Sequence, residues 1–391
     1  MIVVGGGPAG ATAARWCARF GLETLLLDKA YFPRPKPCGG GVTEAALSLL
    51  DFQIPKELVE RDGVRLRPFY KDRSIELSRA ERFIALISRE NFDHFLLRKA
   101  KEAGAEIREG QRVIAVETDG KRAMVGTTDG KFAGRILIGA DGVNSVVARL
   151  VRPPLTANRM ALCLAAEIPA SEAEISSRIK DGIEIHYGIP TMGYGWIFPK
   201  RSHFSVGIGA LASHLADPRR ILNEFVEKNG LPRQYHAVGH FIPVGGIPRK
   251  TVADRILLVG DAAGFADPFT GEGIRYAIAS GRLAAETARD VLLSRRIAPT
   301  RENLTAYRRQ TVEAFEWDLR AALLLAYSFF YLTGPMHRVF FKNPAAFGKL
   351  LDVVHGKATY RQLLRWLLLR LPYYSVRAGL PRRSAPEKAG I

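Results

Sequence analysis

The first apolar run of the chain ends in a glycine-rich turn. Residues 2–4 are apolar and lead into the motif Gly5-x-Gly7-x-x-Gly10, and small apolar residues follow at helical spacing through residues 11–18. A second apolar run, residues 25–27, ends at Asp28. The pattern predicts a buried strand, a tight turn, a helix and a second strand that ends in an acidic residue.

Each polar or glycine position of this unit has a physical task in binding a dinucleotide. Gly5 permits the sharp turn, Gly7 lets the backbone approach a pyrophosphate, and Gly10 lets the helix touch the strand. The helix N-terminus offers unpaired N–H groups and a partial positive charge to the phosphates. Asp28 is placed to accept hydrogen bonds from a ribose diol and would repel a 2′-phosphate. The motif therefore favours NAD or FAD over NADP, and it does not separate the first two.

Two later apolar strands also end in polar or glycine turns. Residues 136–138 lead into Gly139-Ala140-Asp141-Gly142, and residues 256–259 lead into Gly260-Asp261. Because the carboxyl ends of parallel strands meet at one crevice, a single long ligand is expected to contact all three turns. The cofactor of an NAD dehydrogenase would not need to contact all three turns.

The charge of the chain is strongly basic. Its 57 Lys and Arg residues outnumber 39 Asp and Glu residues, which gives a formal net charge of +18. Residues 296–391 contain 16 basic and 6 acidic residues and therefore carry +10 of this total. A basic surface suits nucleic acid, anionic lipid or anionic substrates. No nucleic-acid module is visible, so we expect a membrane surface as partner, with a solvated basic face as the alternative.

Cysteine usage and hydropathy favour a cytoplasmic setting. Cys17, Cys38 and Cys163 have no paired spacing, which argues against a disulfide scaffold, a zinc site or an iron–sulfur cluster, and we expect no metal. The first strand begins at residue 2, and no apolar run reaches the length of about 18 residues that a bilayer span requires. We expect a cytoplasmic protein, free or peripheral on the inner face of the cytoplasmic membrane.

The basic C-terminal region reads as helical, with breaks expected at Pro335, Pro344 and Pro372. Within it, residues 361–371 combine leucines, one tryptophan and three arginines. This stretch is predicted either to lie in the membrane interface, with its arginines near lipid phosphate, or to pack on the protein as an ordinary helix.

Together these motifs resemble a family of FAD-dependent oxidoreductases that includes aromatic hydroxylases, flavin halogenases and geranylgeranyl reductases. The resemblance covers the chain to about residue 295. Two further segments point to the geranylgeranyl reductase branch: Lys36-Pro37-Cys38-Gly39-Gly40-Gly41, and Tyr194-Gly195-Trp196-Ile197-Phe198-Pro199, which is similar to the family's YxWxFP motif. One departure is that Pro190 precedes Tyr194 by four residues, where the family usually has three.

The resemblance implies an α/β fold with a Rossmann-like FAD-binding domain, an interleaved α+β substrate domain with an antiparallel sheet, and a helical C-terminal region. We assign residues 1–50, 86–150 and 251–295 to the FAD-binding domain. Residues 51–85 and 151–250, which alternate between apolar and polar side chains, are assigned to the substrate sheet. Residues 296–391 form the helical basic region.

The resemblance also assigns residues to FAD. Arg89 matches the family's R-x-x-F-D motif and is expected to balance pyrophosphate charge; the alternative is an exposed arginine at a helix start. Asp261 would bond the ribityl chain, and Val113 would contact adenine through its backbone. The full cofactor set that we predict is Gly5, Gly7, Pro8, Ala9, Gly10, Asp28, Lys29, Gly39, Gly40, Arg89, Val113, Asp141, Gly142, Asp261, Pro268, Gly271, Gly273 and Ile274.

The flavin edge and the electron donor follow from the same resemblance. Gly271, Gly273 and Ile274 would present backbone N–H groups to the isoalloxazine N1/O2 edge beside a helix N-terminus, whose positive end stabilises an anionic reduced flavin. No second GxGxxG motif is present, so a dedicated NADPH domain is not expected. NAD(P)H or a small reduced electron carrier would reduce the flavin transiently. Asp141-Gly142 is assigned either to this step or to FAD support alone.

For the geranylgeranyl reductase branch, the implied reaction saturates C=C bonds of a polyprenyl, isoprenoid chain. An isolated alkene is a poor hydride acceptor, so protonation and hydride delivery from flavin N5 must occur together, with water excluded. Cys38 is the candidate acid, and its alternative role is a small spacer beside the flavin. Tyr194 and Trp196 alternate on one strand face and are expected to line one wall. There they either contact the prenyl chain and stabilise developing positive charge or belong to the core of the sheet.

Two rival functions stay open at this point. A flavin monooxygenase or halogenase would act on an aromatic compound, but the halogenase motif W-x-W-x-I-P differs at two positions from Tyr194-x-Trp196-x-Phe198-Pro199. A non-enzymatic, membrane-associated flavoprotein is the second rival. The sequence does not identify the head group of the prenyl substrate, the electron donor or the oligomeric state.

Overall fold

The structure is a computed structural model that describes residues 1–294 and 297–379. Its strands are β1 (Ile2–Val4), β2 (Leu25–Leu27), β3 (Gly41–Thr43), β4 (Val59–Gly63), β5 (Arg65–Tyr70), β6 (Arg73–Ser74), β7 (Leu77–Ser78), β8 (Ile84–Ile87), β9 (Glu106–Arg108), β10 (Val113–Thr118), β11 (Ala123–Thr127), β12 (Lys131–Gly134), β13 (Leu137–Gly139), β14 (Met160–Pro169), β15 (Gly182–Tyr187), β16 (Gly193–Pro199), β17 (His203–Leu211), β18 (Ala237–Pro243), β19 (Val252–Ala253) and β20 (Ile256–Leu258).

The helices are α1 (Pro8–Arg19), α2 (Glu44–Leu47), α3 (Arg89–Glu102), α4 (Glu172–Arg178), α5 (Pro218–Lys228), α6 (Gly260–Ala263), α7 (Ile274–Leu293), α8 (Arg301–Thr311), α9 (Trp317–Tyr331), α10 (Thr333–Lys342), α11 (Pro344–His355) and α12 (Tyr360–Gly379). A π-helical turn at Val312–Glu316 joins α8 to α9.

A six-stranded sheet in the order β19-β20-β13-β1-β2-β9 forms the first layer. All neighbours in it pair in parallel except β19 with β20. Strands β1, β13 and β20 are buried along their whole length, as expected where helices cover both faces of a parallel sheet. The three predicted turns therefore follow adjacent strands and lie at one edge of the sheet.

An eight-stranded sheet forms the second layer, in the order β18-β14-β17-β16-β15-β5-β6, with β7 paired to β5. Its pairs are antiparallel except β5 with β15. Side chains of β16 point alternately to the two faces of the sheet. On one face, a Cβ at Gly195 would meet the ring of Phe225 on α5. On the other face, Tyr194 and Trp196 line a large cavity. Two three-stranded sheets, β10-β11-β12 and β3-β8-β4, complete the strands.

The C-terminal helices pack as a second apolar cluster beside this sheet. Phe329, Phe340 and Phe347 are fully buried in it. The mixed α/β architecture, the antiparallel sheet and the helical C-terminal region confirm the predicted fold class. The domain boundaries stay a prediction, and residues 295, 296 and 380–391 of the assigned segments lie outside the described residues.

One local prediction needs correction. The break predicted at Pro372 does not occur, since α12 continues from Tyr360 to Gly379. By contrast, the break expected at Pro344 is present, because α11 begins at this residue. In the first turn of a helix the backbone N–H has no partner within the helix, so a proline there costs no hydrogen bond.

Candidate functional site

A cavity of about 710 Å³ lies between the two large sheets. Its volume falls in the upper part of the range of about 300–1,000 Å³ that is common for small-molecule and cofactor sites. The turns after β1, β13 and β20 line one part, and the inner face of the eight-stranded sheet lines another. One ligand in this cavity can therefore contact all three turns and the second sheet.

The glycine-rich turn brings α1 close to β1. A Cβ atom at Gly10 would lie 1.8 Å from the Gly5 carbonyl oxygen, so any larger residue would push the helix away from the strand. Helix α1 begins at Pro8 after Gly7, and no side chain caps its N-terminus. The carboxylate of Asp28 accepts hydrogen bonds from the N–H groups of Gly6 (2.5 Å) and Ala30 (2.8 Å). The free helix N-terminus provides N–H donors for an anion.

Two arginines share one buried carboxylate beside this turn. Arg89 donates two hydrogen bonds of 2.9 Å to Asp93, and the guanidinium of Arg34 lies 3.3 Å from the same carboxylate. Asp93 has no exposed surface and the Arg89 side chain is 10% exposed, so the alternative reading of Arg89 as an exposed helix-start residue is wrong. Two cations against one anion leave a net positive charge, and both arginines line the cavity.

A lysine–histidine pair adds to this positive charge. The Lys36 ammonium lies 2.7 Å from His240 Nε2, and both residues line the cavity. Burial lowers the pKa of Lys36 to about 8, against the opposing effect of Asp261. Burial, with Lys36 and Arg89 nearby, lowers the pKa of His240 to about 3. His240 is therefore neutral near pH 7 and accepts the hydrogen bond from Lys36.

The loop before α7 is tied to the second sheet through Tyr194. The Tyr194 hydroxyl donates a hydrogen bond to the Thr270 carbonyl. Gly271 follows with φ +74°, and a Cβ at this position would lie 2.9 Å from the Tyr194 hydroxyl oxygen. Burial raises the pKa of Tyr194 well above 10. Tyr194 thus holds this loop against β16 as a neutral hydroxyl.

The segment after Pro37 packs against Trp196. A Cβ at Gly39 would lie 3.1 Å from Trp196 Nε1, and this buried indole N–H has no hydrogen-bond partner among the described residues. The Cys38 sulfur accepts a hydrogen bond of 3.3 Å from the Gly40 N–H. Both Cys38 and Trp196 line the cavity. An unpaired buried donor at a cavity wall is a ready partner for a ligand acceptor.

The two aspartates that end β13 and β20 differ in their partners. Asp141 accepts hydrogen bonds from Ser145 Oγ (2.5 Å) and from the Val146 N–H (2.7 Å), so its carboxylate holds the following turn. Burial raises the pKa of Asp141 against these hydrogen bonds. Burial also raises the pKa of Asp261, which lies near the charges of Lys36 and Arg89. Asp261 is the aspartate whose carboxylate is less committed to the protein backbone.

The far part of the cavity is apolar. Its wall combines side chains of the eight-stranded sheet, of β8 and the residue before it, of the loop before α7 and of α11: Leu66, Phe83, Ile84, Ile183, Ile185, Tyr187, Phe269, Leu350, Leu351 and Val354. The cavity therefore joins a positively charged, glycine-lined part to an apolar arm.

Nearly all residues predicted from the sequence as cofactor-binding or catalytic residues line this cavity. The two exceptions are Gly10, which packs α1 on β1, and Pro268. The sequence reasoning missed further polar residues of the wall, among them Arg34, Lys36, His240 and Glu272. The cations Arg34 and Lys36, at the start of the glycine-rich segment that ends at Gly41, were a usable signal, whereas His240 is 204 residues away from its partner and gave none.

Two kinds of feature are absent from the described residues. Within residues 1–294 and 297–379, no group of three or more His, Cys, Asp or Glu side chains is arranged to hold a metal ion. In the same part of the chain, no helix is long and apolar enough to cross a membrane.

Comparisons with known proteins place these features in context. A family model described as an FAD binding domain matches residues 1–286. The chain is 32% identical over 364 residues to a menaquinone reductase of Mycobacterium tuberculosis, covering 86% of each chain. It is 34% identical over 305 residues to a geranylgeranyl diphosphate reductase of Rhodobacter capsulatus, covering 75% of each chain.

A solved structure shares the fold over almost the whole chain. It is a geranylgeranyl bacteriochlorophyll reductase-like protein from Thermoplasma acidophilum, with a TM-score of 0.80 and 24% identity. The match covers 96% of this chain and 97% of that chain. At this identity, the likeness is one of fold.

Proposed function

We propose that this chain, which belongs to the FAD-binding oxidoreductase family that includes geranylgeranyl reductases, saturates C=C bonds of a polyprenyl chain. The observation that carries the proposal is the apolar arm, which continues from the part of the cavity lined by the dinucleotide turn. A prenyl chain is long and apolar, and such an arm removes it from water at the place where the cofactor part of the cavity begins.

The residues of the cavity fit FAD. The uncapped N-terminus of α1 and the excess of cations suit its pyrophosphate, and the Asp28 carboxylate suits a ribose diol. The unpaired N–H of Trp196 provides a donor deeper in the cavity. Bound FAD supplies a hydride to the alkene after it has been reduced. All eighteen residues named above for the cofactor, Gly5 to Ile274, are proposed as its contacts or supports.

The chain's own residues have separable tasks in this reaction. Tyr194 holds the loop that precedes α7, because its hydroxyl is committed to the Thr270 carbonyl. The ring of Trp196 forms the wall beside the glycine segment. Cys38 is proposed as the acid that faces the alkene, since it lines the cavity and its Sγ–H is a weak donor. With water excluded by the apolar arm, proton and hydride reach the same double bond.

The electron donor is proposed to act transiently. The sequence has one dinucleotide motif, and the described residues form one six-stranded, mainly parallel sheet of this type. NAD(P)H docking briefly at the flavin, or a small reduced carrier, is therefore the proposed source of electrons.

Mass spectrometry of prenyl lipids in cells that express or lack this gene tests the proposal. We expect products that gain two hydrogen atoms for each double bond, and the lipid that changes identifies the head group. Products that gain one oxygen atom would point instead to a monooxygenase. An unchanged lipid profile in both cells, with FAD-loaded protein present, would favour a flavoprotein without this enzymatic activity.

We also propose a peripheral contact with an anionic membrane surface, made by α9. Trp317, Leu324, Tyr327 and Tyr331 are 43–58% exposed, and their spacing puts them on one face of the helix. The Arg320 guanidinium lies 4.3 Å from the centre of the Trp317 ring, so a cation accompanies the aromatic row. Aromatic side chains beside arginines suit the interface of an anionic bilayer.

The stretch from residue 361 to residue 371, predicted to lie either in the membrane interface or on the protein, is part of α12. Leu363 and Leu367 of α12 are buried, so this helix packs on the protein, as the alternative prediction had it. Leu368 and Leu369 remain exposed. Removing the chain beyond Pro344 would also remove Leu350 and Leu351 from the cavity wall, so a truncation cannot isolate membrane binding.

Flotation with vesicles of phosphatidylcholine and phosphatidylglycerol tests this contact through Leu324→Glu. We expect the native protein to float and the variant to stay with the unbound fraction. Ile114→Glu on β10 is the matched control, because Ile114 and Leu324 are 59% and 58% exposed. Equal flotation of the native protein and Leu324→Glu, or no flotation of either, would refute the proposed membrane face.

A further inference from the structure

One partly buried carboxyl group in the cavity wall has no part in the proposed cofactor contacts. Glu272 lies between Gly271 and Gly273, immediately before α7, and lines the cavity. The Thr43 hydroxyl donates a hydrogen bond to its carboxyl group. Thr43 is also the N-cap of α2, where its oxygen accepts a hydrogen bond of 3.1 Å from the Ala46 N–H. The partner of Glu272 is thus fixed on a separate element across the cavity wall.

The surroundings of Glu272 bring the pKa of its carboxyl group close to neutral pH. Burial raises its pKa to about 7, against the Thr43 hydrogen bond and the positive charge of Arg275, while Asp267 adds to the increase. Two further titratable groups interact with Glu272. These are Tyr276 and Tyr360, whose buried hydroxyl groups have raised pKa values and are therefore neutral at this pH. The carboxyl group is therefore neutral below about pH 7 and ionises above it.

The hydrogen bonds of Glu272 differ from those of Asp267 and Asp141, two other acids of this region. Asp267, five residues earlier, accepts hydrogen bonds from the Phe269 (2.7 Å) and Thr270 (3.1 Å) N–H groups. Asp141 accepts three from the turn after β13. Those carboxylates stabilise their own loops. Within the described part of the chain, the Glu272 side chain makes its hydrogen bond to Thr43 alone, so a change of protonation at Glu272 leaves the loop hydrogen bonds intact.

We propose that Glu272 is the proton-holding group of this cavity, which takes up a proton when the bound flavin is reduced and releases it when the flavin is oxidised again. The proposal rests on the proposed function, because it needs the flavin edge to lie at Gly271–Ile274. A reduced flavin gains negative charge there, and a nearby negative charge raises the pKa of a carboxyl group. Proton uptake by Glu272 cancels the unfavourable interaction of two like charges.

The protons and electrons of the cycle balance. Reduction by a hydride donor puts two electrons and one proton on the flavin, and Glu272 takes a second proton from solvent. Saturation of one C=C bond then removes a hydride from the flavin and consumes one proton. Glu272 releases its proton in the same half-reaction and so restores the proton that the acid gives to the alkene. Reduction and reoxidation therefore each move one proton at this carboxyl group.

The pH dependence of the flavin midpoint potential tests this role in the FAD-loaded protein. For a two-electron couple, each proton taken up lowers the potential by about 30 mV per pH unit. Below pH 7, where Glu272 already carries its proton, we expect a slope of about 30 mV per pH unit. Between about pH 7 and pH 8, where Lys36 still carries its proton, uptake at Glu272 should increase the slope to about 60 mV per pH unit.

Three variants make the assignment specific. Glu272→Gln should keep the slope of about 30 mV per pH unit up to about pH 8, where Lys36 begins to lose its proton. Thr43→Val removes a hydrogen bond that lowers the pKa of Glu272, so the change of slope should move to higher pH. Glu44→Gln, at the next residue but outside the cavity wall, is the control and should match the native protein.

The outcomes separate this role from the proposed function. If the native protein binds no FAD, the proposed function fails together with this role. If it binds FAD and saturates prenyl chains but shows a slope of about 30 mV per pH unit throughout, the role of Glu272 is overturned and the function stands. Should Glu272→Gln fail to fold, the native slope and the shift in Thr43→Val decide the question.

Discussion

Tyr194 and Cys38 face the same cavity with different chemistry. The Tyr194 hydroxyl is used by the Thr270 carbonyl and has a pKa raised by burial, so it is a poor source of protons. The Cys38 sulfur accepts a hydrogen bond from a backbone N–H, and a thiol S–H is a weak donor. At the residue scale, the geometry therefore divides the two candidates into a positioning residue and a candidate acid.

Tyr194→Phe should weaken FAD binding with little effect on kcat. Loss of a hydrogen bond of ordinary strength corresponds to a dissociation constant about three- to tenfold higher. Titration of FAD by fluorescence measures this change. Tyr235→Phe is the control, since that hydroxyl bonds Asn223 in an exposed part of the chain. A large loss of kcat in Tyr194→Phe at saturating FAD would show that its hydroxyl takes part in the reaction.

Cys38→Ala should lower kcat by about 10²- to 10⁴-fold, the usual contribution of a general acid, at unchanged FAD content. Cys163→Ala is a demanding control, because Cys163 lines the same cavity and burial raises its pKa to about 12. Rates of flavin reoxidation by the prenyl substrate measure both. If Cys38→Ala reacts at the native rate, Cys38 is a spacer beside the flavin.

The residues that the sequence revealed are those with a fixed spacing to their neighbours. The glycines of the turn, Asp28 and Arg89 are defined by local motifs, and local geometry brings them to the cavity. Lys36 pairs with His240 and Thr43 with Glu272 over separations of 204 and 229 residues. Such pairs depend on how the two large sheets pack, which a single sequence does not encode in any short pattern.

At the scale of elements, α1 and α7 control the shape of the cofactor part of the cavity. Both helices begin at its wall, and they pack closely because Gly281 has no side chain. A Cβ at Gly281 would lie 2.4 Å from the Ala9 carbonyl oxygen. The contact fixes the distance between two helix N-termini that face the proposed cofactor.

Gly281→Ala should therefore destabilise the protein by about 1–3 kcal/mol, as expected for overpacking of a buried contact, and should reduce FAD content. Gly334→Ala in α10 is the control, since no atom lies within 4 Å of its added Cβ. There the change to alanine should be neutral or stabilise by up to about 1 kcal/mol. Urea unfolding measures both. Equal stabilities of the two variants would show that α1 and α7 can separate without cost.

The element predictions succeeded where hydrophobic periodicity was long and failed where tertiary contacts decided the outcome. The strands of the parallel sheet were visible as apolar runs. The orientation of α12 was not, because leucines and arginines at helical spacing suit both a lipid interface and a protein interface. Leu363 and Leu367 pack in the apolar cluster of the C-terminal helices, whereas Leu368 and Leu369 of the same helix are exposed.

At the scale of the whole molecule, one cavity combines the proposed cofactor site and the proposed substrate site, which the sequence analysis assigned to separate segments. One part is formed by the turns of the parallel sheet, and the apolar arm combines the second sheet with α11 from the C-terminal region. Helix α11 is therefore part of the proposed substrate site as well as of the basic C-terminal region. The net charge of +18 acts around this cavity and favours anionic partners.

A single turnover without oxygen tests the central claim most directly. The FAD-loaded protein is reduced with dithionite, freed of excess reductant and mixed with geranylgeranyl diphosphate, while flavin absorbance and the prenyl products are followed. We predict that the flavin is reoxidised and that one C=C bond is saturated for each flavin oxidised. A flavin that stays reduced until oxygen is admitted, with the prenyl chain recovered unchanged, would contradict the account.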